Sequence, residues 1–307
     1  MQTFKLLWGT YMSTFIAQLV NGLSLGSIYA LIALGYTMVY GIVKLINFAH
    51  GDVMMMGAFA GFFVLSIFTP SFLGMIFAFV AAMLFCALLS LVIERFAYRP
   101  LRNAPRLNSL ITAIGVELIL QNLMRVLPFV GPNPKSFPTM AAKNFEIGIF
   151  SITNLQLIVI VSSAIFMLVL NFIVNHTKTG KAMQAVSYDL QASSLMGINV
   201  NKIIAVTFVI GSILAGVAGV LYATAYPMID PMMGYIPGLK AFVAAVLGGI
   251  GSIPGAMVGG VILGIAETLT KGYISSQYAD AISYIILIVI LLVKPSGLFG
   301  KKTTVKV

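Results

Sequence analysis

Residues 41–61 read GIVKLINFAHGDVMMMGAFAG. The stretch is set in sequence apolar enough for a bilayer, yet it places Lys44, Asn47, His50 and Asp52 within nine positions. Polar and ionisable groups at membrane depth are costly and persist where they line a protein-walled cavity. Glycines at 41, 51, 57 and 61 suggest a helix that breaks and restarts, which is how many transporters build a translocation path. The competing reading is a short interfacial loop between two ordinary spans.

Working outward, 60 % of the 307 residues are hydrophobic and only 8 % are charged. A water-soluble domain of that balance would expose large apolar patches, so the chain reads as an all-α, polytopic helical membrane protein. Charge-free runs cover 6–43, 53–93, 147–177, 203–229 and 241–266. About 20 apolar residues cross the hydrocarbon core, so the first two runs hold more than one pass each. The N-terminus carries one lysine before a very long apolar stretch and no small-residue cleavage site, and reads as a retained first span.

The net charge of +10 invites a nucleic-acid reading, but its distribution argues against one. Arg95, Arg99, Arg102 and Arg106 fill one loop, Lys178, Lys181 and Lys202 another, and Lys294, Lys301, Lys302 and Lys306 the tail; with Lys5 these are 12 of the 18 basic residues. Confinement to alternate segments is the positive-inside bias of membrane proteins. Cys86 is the single cysteine, so no intramolecular disulfide forms, and it reads as a packing residue.

Eight segments are long enough to span: 12–33, 52–68, 72–93, 108–129, 151–174, 203–225, 254–271 and 279–293. Two short apolar pieces, 35–49 and 238–251, remain. Placing Lys5, both basic loops and the tail in the cytoplasm requires each short piece to act as a crossing, giving ten segments with both termini inside. Both pieces precede a polar or Gly/Pro break and a helix that begins with small residues. Asp52 or Ser252 can cap such a helix, and Pro254 suits its first turn. Paired discontinuous segments suggest a duplicated transporter with its path between the halves. Small residues recur every four positions, as in Gly22/Gly26/Ala30, Gly57/Gly61 and Gly251/Gly255/Gly259. Both close packing around a narrow path and generic helix association explain them.

Residues 175–182, NHTKTGKA, come nearest to a phosphate-binding G-x-x-x-x-G-K-[ST] loop but lack its first glycine and final hydroxyl. The chain therefore does not hydrolyse ATP itself. With only His50 and His176, and neither H-E-x-x-H nor G-x-S-x-G, an enzyme and a metal site are both disfavoured. Glu117, Arg125 and Glu267 are coupling candidates for an ion-driven carrier; without a carboxylate cluster they read better as structural ion pairs or interfacial charges.

Residues 178–202, KTGKAMQAVSYDLQASSLMGINVNK, form the longest structured-looking loop. Residues 182–196 have helix-forming composition, with Ala185, Tyr188, Ala192 and Leu195 in one apolar stripe, Gly197 as a stop and Asn199 in the turn after it. Such a helix suits docking in a partner's groove or resting on the membrane surface.

This loop resembles that of the inner-membrane permeases of branched-chain amino-acid ABC importers. So do Asn21-Gly22-Leu23, Gly26 to Leu31 (GSIYAL), Ile46 to Asp52 (INFAHGD), Ala215 to Leu221 (AGVAGVL) and Ala244 to Ser252 (AAVLGGIGS). The resemblance covers nearly the whole chain, is closest to the shorter, high-affinity permease subunit, and extends to urea and short-chain amide permeases. The loop departs from the E-A-A…G pattern of many ABC importers, its acidic position falling on Gln184 or Asp189.

The resemblance implies a single transmembrane permease domain over 1–307, with 178–202 as a cytoplasmic coupling loop, in a bacterial inner membrane. It implies four partner components besides lipid: a periplasmic solute-binding protein, a second homologous permease and two cytoplasmic ATPase subunits. ATP is hydrolysed there, so the chain needs no cofactor of its own. The ATPase-coupling helix maps to 181–197, with Lys181, Ala185, Asp189, Ala192 and Gly197. The translocation path maps to Asn47, His50, Gly51 and Asp52, and to Gly249, Gly251 and Ser252. The expected function is import of leucine, isoleucine or valine by alternating access. Urea or amide import, a self-contained secondary carrier or channel, and an intramembrane enzyme are the competing readings.

Overall fold

The fold was read from a computed structural model describing residues 2–44, 47–102, 104–147 and 150–300. Lys301, Lys302 and Lys306 of the expected basic tail, and Ile46, lie outside the described residues. In chain order the helices are α1 (Gln2–Val43), α2 (His50–Ile67), α3 (Phe72–Ile93), α4 (Arg106–Val126), α5 (Asn154–His176), α6 (Lys178–Tyr188), α7 (Leu190–Leu195), α8 (Val200–Ala225), α9 (Tyr235–Gly248), α10 (Ile253–Tyr273) and α11 (Ala279–Val293). A π-helical turn, Glu94–Tyr98, extends α3. Short strands β1 (Lys135–Ser136), β2 (Asn144–Ile147), β3 (Phe150–Thr153) and β4 (Met228–Ile229) make two antiparallel pairs, β1 with β4 and β2 with β3. Eight of the described helical segments are long and apolar enough to cross a membrane.

The division between 12–33 and 35–49 is corrected. α1 is one continuous helix of 42 residues, and the chain first breaks after Val43. Gly35 does not interrupt it. A Cβ there would fall 2.1 Å from His50 Nε2 and 3.0 Å from the Gly211 carbonyl, so this glycine makes room for a neighbour. At about 1.5 Å per residue α1 outruns a single bilayer core and still crosses it once.

The second short piece does carry the chain across. α1 and α10 run antiparallel: Gly22 meets Ile265 and Thr268, Gly26 meets Gly260 and Val261, and Gly41 meets Gly251. α3 and α8 are likewise antiparallel, with Met75 against Thr224 near one end and Tyr98 stacked on Phe208 near the other. The chain must therefore change faces between Ala225 and Ile253. It does so through β4 and the 14-residue α9, which at about 1.5 Å per residue is too short to span alone.

With eight helices long and apolar enough to cross a membrane and the shorter α9, the described chain passes nine times between the two ends of the bundle. The start of α1 then lies on the face of β3 and Lys271, where Asn21 bonds Gln156 and Gln18 packs on Gly272. Arg99–Arg102, the 178–199 segment and residues 297–300 share the opposite face. The expectation that both termini lie on the basic side is thus corrected for the N-terminal end. It rested on Lys5 and on an extra crossing that α1 does not make.

Small residues set the tightest contacts. A Cβ on Gly260 would fall 2.4 Å from the Ala30 nitrogen, and one on Gly219 2.1 Å from the Met54 carbonyl. In lipid no hydrophobic drive pulls helices together, so this close approach carries association. Cys86 is fully buried between Gly57 and Gly216 and donates to the Val53 carbonyl at 3.3 Å, the packing role read from sequence. α3, α4, α5 and α11 present broad exposed apolar faces around this centre.

Candidate functional site: a buried polar break between the first two membrane helices

Between α1 and α2 the chain turns through Lys44, which adopts φ 56°. The expected helix break is therefore present, with its restart at His50. Asp52 does not cap it. The helix begins two residues earlier, Ala49 holds the capping position without a side-chain bond, and the Asp52 carboxylate turns to another helix. Ser252 does cap α10, accepting from Gly255 N at 3.2 Å, with Pro254 in the first turn.

Each polar residue of the break is held by a different element. Asn47 Oδ1 accepts the Tyr98 hydroxyl at 2.5 Å from the π-helical turn. His50, 1 % exposed, lies edge-on to Tyr36 of α1 with ring centroids 4.9 Å apart, and its Nε2 has no hydrogen-bond partner among the described residues. Gly51 lies against Gly234 and Gly238 at the start of α9; a Cβ on Gly51 would fall 2.4 Å from the Gly234 carbonyl. Asp52, also 1 % exposed, accepts Gln121 Nε2 of α4 at 3.2 and 3.3 Å. Lys44 alone is exposed, its ammonium on the Gly41 carbonyl. The break is a joint where α1, α3, α4 and α9 converge on α2.

The second break is built differently. Gly249 and Gly251 take φ +100° and +97°, a backbone that side chains disfavour, and turn α9 into α10. Residues 297–300 cover Gly249, with Leu298 N donating to the Leu247 carbonyl at 2.8 Å and Phe299 N to the Gly248 carbonyl at 3.0 Å. Gly51 lies against the start of α9 and Gly249 ends it, while Phe48 of the first break packs on Phe242 between them, with ring centroids 6.0 Å apart. Gly41, near the end of α1, lies beside Gly251 of the second break.

The 178–202 segment forms two helices where the composition suggested one. Asp189 separates them, accepting from Gln191 N at 2.8 Å and Ala192 N at 2.9 Å to cap α7. Gly197 at φ +82° stops α7, and Asn199 caps α8 through Lys202 N at 3.0 Å. Gly180, Met183, Val186 and Ser193 face inward. Tyr188, Leu195 and Met196 stand 83–88 % exposed, beside exposed Ala192. Ala185 is half-buried, Lys181 is exposed, and Gln184 is bonded to the Val174 carbonyl.

Several residues in this architecture were not picked out from sequence. Tyr98 and Gln121 hold the break, and Lys240 joins Glu267 Oε1 at 2.8 Å and Asp280 at 2.6 Å. Glu267 also takes Lys271 at 2.7 Å and the Tyr29 hydroxyl at 2.9 Å, which is the structural ion pairing expected of it. Glu117 and Arg125 form no ion pair among the described residues. Lys240 sits one position before a 26-residue charge-free run, a legible signal for a buried cation.

A family model described as the branched-chain amino acid transport system / permease component matches residues 18–291. The chain belongs to this permease family. It is 43 % identical over 306 residues to the high-affinity branched-chain amino acid transport system permease protein LivH of Salmonella typhimurium, covering 95 % of this chain and 98 % of LivH. Identity is 44 % over 303 residues both to Escherichia coli K12 LivH and to BraD of Pseudomonas aeruginosa, with the same coverage. A more distant match, 30 % over 129 residues and 40 % of each chain, is to the ribose import permease protein RbsC of Escherichia coli K12. No solved structure matches. The permease's polar break and two-helix loop both fall inside the matched region.

Proposed function

We propose that this chain is the permease subunit of an ATP-driven importer that carries leucine, isoleucine and valine across a bacterial inner membrane. The observation that carries the proposal is the end-to-end similarity to permeases named for high-affinity branched-chain amino acid transport. The positive-inside bias puts the face of Arg99–Arg102, α6–α7 and residues 297–300 in the cytoplasm, and the start of α1 outside. A periplasmic solute-binding protein delivers the amino acid, a second homologous permease completes the channel, and two ATPase subunits on the cytoplasmic face hydrolyse ATP.

Alternating access requires that ATPase closure be felt at the path. The exposed apolar face of α6–α7, with Tyr188, Ala192, Leu195 and Met196, is the docking surface in this reading. α7 leads directly into α8, where Asn201 bonds Arg102, Arg102 pairs with Glu94 of the π-helical turn, and Tyr98 of the same turn holds Asn47. The π-helical turn is an irregularity of the kind found at functional sites, and here it links the docking loop to the polar break. Asn47, His50, Gly51 and Asp52 then act on the path as its hinge. Glu267 is fully engaged by two lysines and a tyrosine, which argues against a role in ion coupling.

The test is reconstitution of the complex purified from its host in liposomes containing ATP. Uptake of labelled leucine is expected to require ATP and the delivery protein, and to persist when ion gradients are collapsed. Uptake driven by a proton or sodium gradient without ATP, or of urea in preference to leucine, overturns the proposal.

A further inference from the structure

A cavity of about 440 Å³ opens on the face opposite the basic loops, between the outer ends of α1, α5, α8 and α10. Its size falls within the range of small-molecule sites. The cavity belongs to neither helix break. Its walls combine two kinds of surface: Gln18, Asn21 and Gln156 supply side-chain amides, while Leu25, Leu155 and Ala225 are apolar. Lys271 is the one lining residue with a formal charge.

Lys271 is not an isolated cation. It donates to Glu267 Oε1 at 2.7 Å, and Glu267, 1 % exposed, lies deeper in the protein. Beneath the cavity the same carboxylate takes Lys240 and the Tyr29 hydroxyl, and Lys240 reaches Asp280. Two lysines and two carboxylates make this cluster neutral. A neutral cluster exerts no net attraction on an anion or a cation and suits a ligand whose own charges cancel, at a mouth where Lys271 is 38 % exposed. An ammonium has three donors, so Lys271 retains two beyond the one given to Glu267. Below, α1 and α10 close on each other through Gly22, Gly26, Gly260 and Gly264, so the cavity is blind toward the core.

We propose that this outer cavity is an entry subsite for a neutral, zwitterionic amino acid with an aliphatic side chain. Lys271 receives the α-carboxylate, the side-chain oxygen of Gln18 and the second lone pair of Asn21 Oδ1, whose first takes Gln156 Nε2 at 2.6 Å, receive the α-ammonium, and the side chain lies on Leu25 and Leu155. The subsite holds solute weakly at the outer end of a closed bundle, before the spans separate. It rests on the import function proposed above, which sets the side from which solute arrives.

The experiment uses the complete complex in liposomes, with a cysteine introduced as Leu155→Cys and, independently, as Ala225→Cys. Cys86 stays in place because it is buried. An impermeant maleimide added outside is expected to modify each new cysteine, and millimolar leucine to slow that modification severalfold. Isoamylamine and 4-methylpentanoate, which keep the aliphatic body and one charge each, are expected to leave the rate unchanged. Adding Lys271→Met is expected to abolish the protection by leucine. Protection by all three compounds alike, or by none, overturns the subsite, as does undiminished protection with Lys271→Met. Liposomes that import leucine with ATP yet show no protection reject the subsite and leave the import function standing. Liposomes with no ATP-driven leucine uptake reject the import function itself, whereas protection by leucine there still supports the cavity as a zwitterion site.

Discussion

The Tyr98 hydroxyl lies 2.5 Å from Asn47 Oδ1, tying the π-helical extension of α3 to the break between α1 and α2. Tyr98 also stacks on Phe208 of α8 with centroids 5.5 Å apart. One side chain thus joins three elements: the break, the extension of α3 and α8, which follows the α6–α7 segment. Tyr98→Phe keeps the ring and removes only the bond to Asn47, at a cost of about 1 kcal/mol. The expected result is a folded permease whose ATP hydrolysis continues while leucine uptake per ATP falls. Measuring both rates on the same liposomes checks it; an unchanged ratio removes Tyr98 from the transmission route.

Gly51 and Gly234 are in mutual backbone contact, with a Cβ on either one 2.1–2.4 Å from the other's carbonyl oxygen. Gly51→Val or Gly234→Val forces α2 away from α9 and should abolish transport. Gly115, with nothing within 4 Å, is the control, and Gly115→Ala should behave as wild type. Size-exclusion profiles of fluorescently tagged variants separate loss of folding from loss of movement.

Glu267 neutralises Lys240 at a site where both are almost wholly buried. Glu267→Gln leaves Lys240 with only the half-exposed Asp280, 2.6 Å away, and should destabilise the chain by less than the roughly 3–5 kcal/mol of an uncompensated buried charge. Replacing both, as in Lys240→Met with Glu267→Leu, should restore only part of that loss, because the apolar pair carries no desolvation cost but leaves the buried Tyr29 hydroxyl without its acceptor. Thermal unfolding in detergent reads the difference between the single and double variants.

Leu195 and Ala192 are exposed on the basic face. Leu195→Glu or Ala192→Glu should leave insertion and thermal stability unchanged while uncoupling ATP hydrolysis from uptake, since an unpaired carboxylate in an interface weakens a transient contact. Wild-type uptake in both variants would place the docking surface elsewhere.

Cysteines at Lys135 and Ser187 should be modified from opposite sides of the membrane, and one at Met12 should share the side of Lys135. Labelling of Met12 and Ser187 from the same side would restore the extra crossing that continuous α1 rules out.

Much of the fold was legible because bilayer physics leaves few options. Apolar length, loop charge and the break at residues 44–49 were all readable along the chain. Gly35 misled because a glycine inside an apolar run marks either an interruption or a close approach. Only the position of His50 and Gly211 beside it decides between them. The crossing between Ala225 and Ile253 was recoverable by parity, although α9 alone is too short to declare it. The candidate site was legible as a list and not as a constellation. Asn47, His50 and Asp52 stood out as polar residues in apolar sequence, but their partners Tyr98 and Gln121 are 51 and 69 positions away. The two breaks looked paired because both are Gly-rich. In space they meet α9 differently, Gly51 at its start and Phe48 beside Phe242 at its middle, with Gly249 at its end.

The turn between α9 and α10 is finished by a strap made after every helix. Leu298 and Phe299 donate to the Leu247 and Gly248 carbonyls, about fifty residues upstream. During synthesis, when segments form in the order they emerge, all the spans exist before those two acceptors have donors. A chain interrupted just short of Leu298 would therefore contain every described helix and still lack the two donors to this turn on its basic face. Cells that sort nascent membrane proteins by exposed backbone would see such a chain as unfinished, and a fusion partner joined ahead of Phe299 would create the same defect.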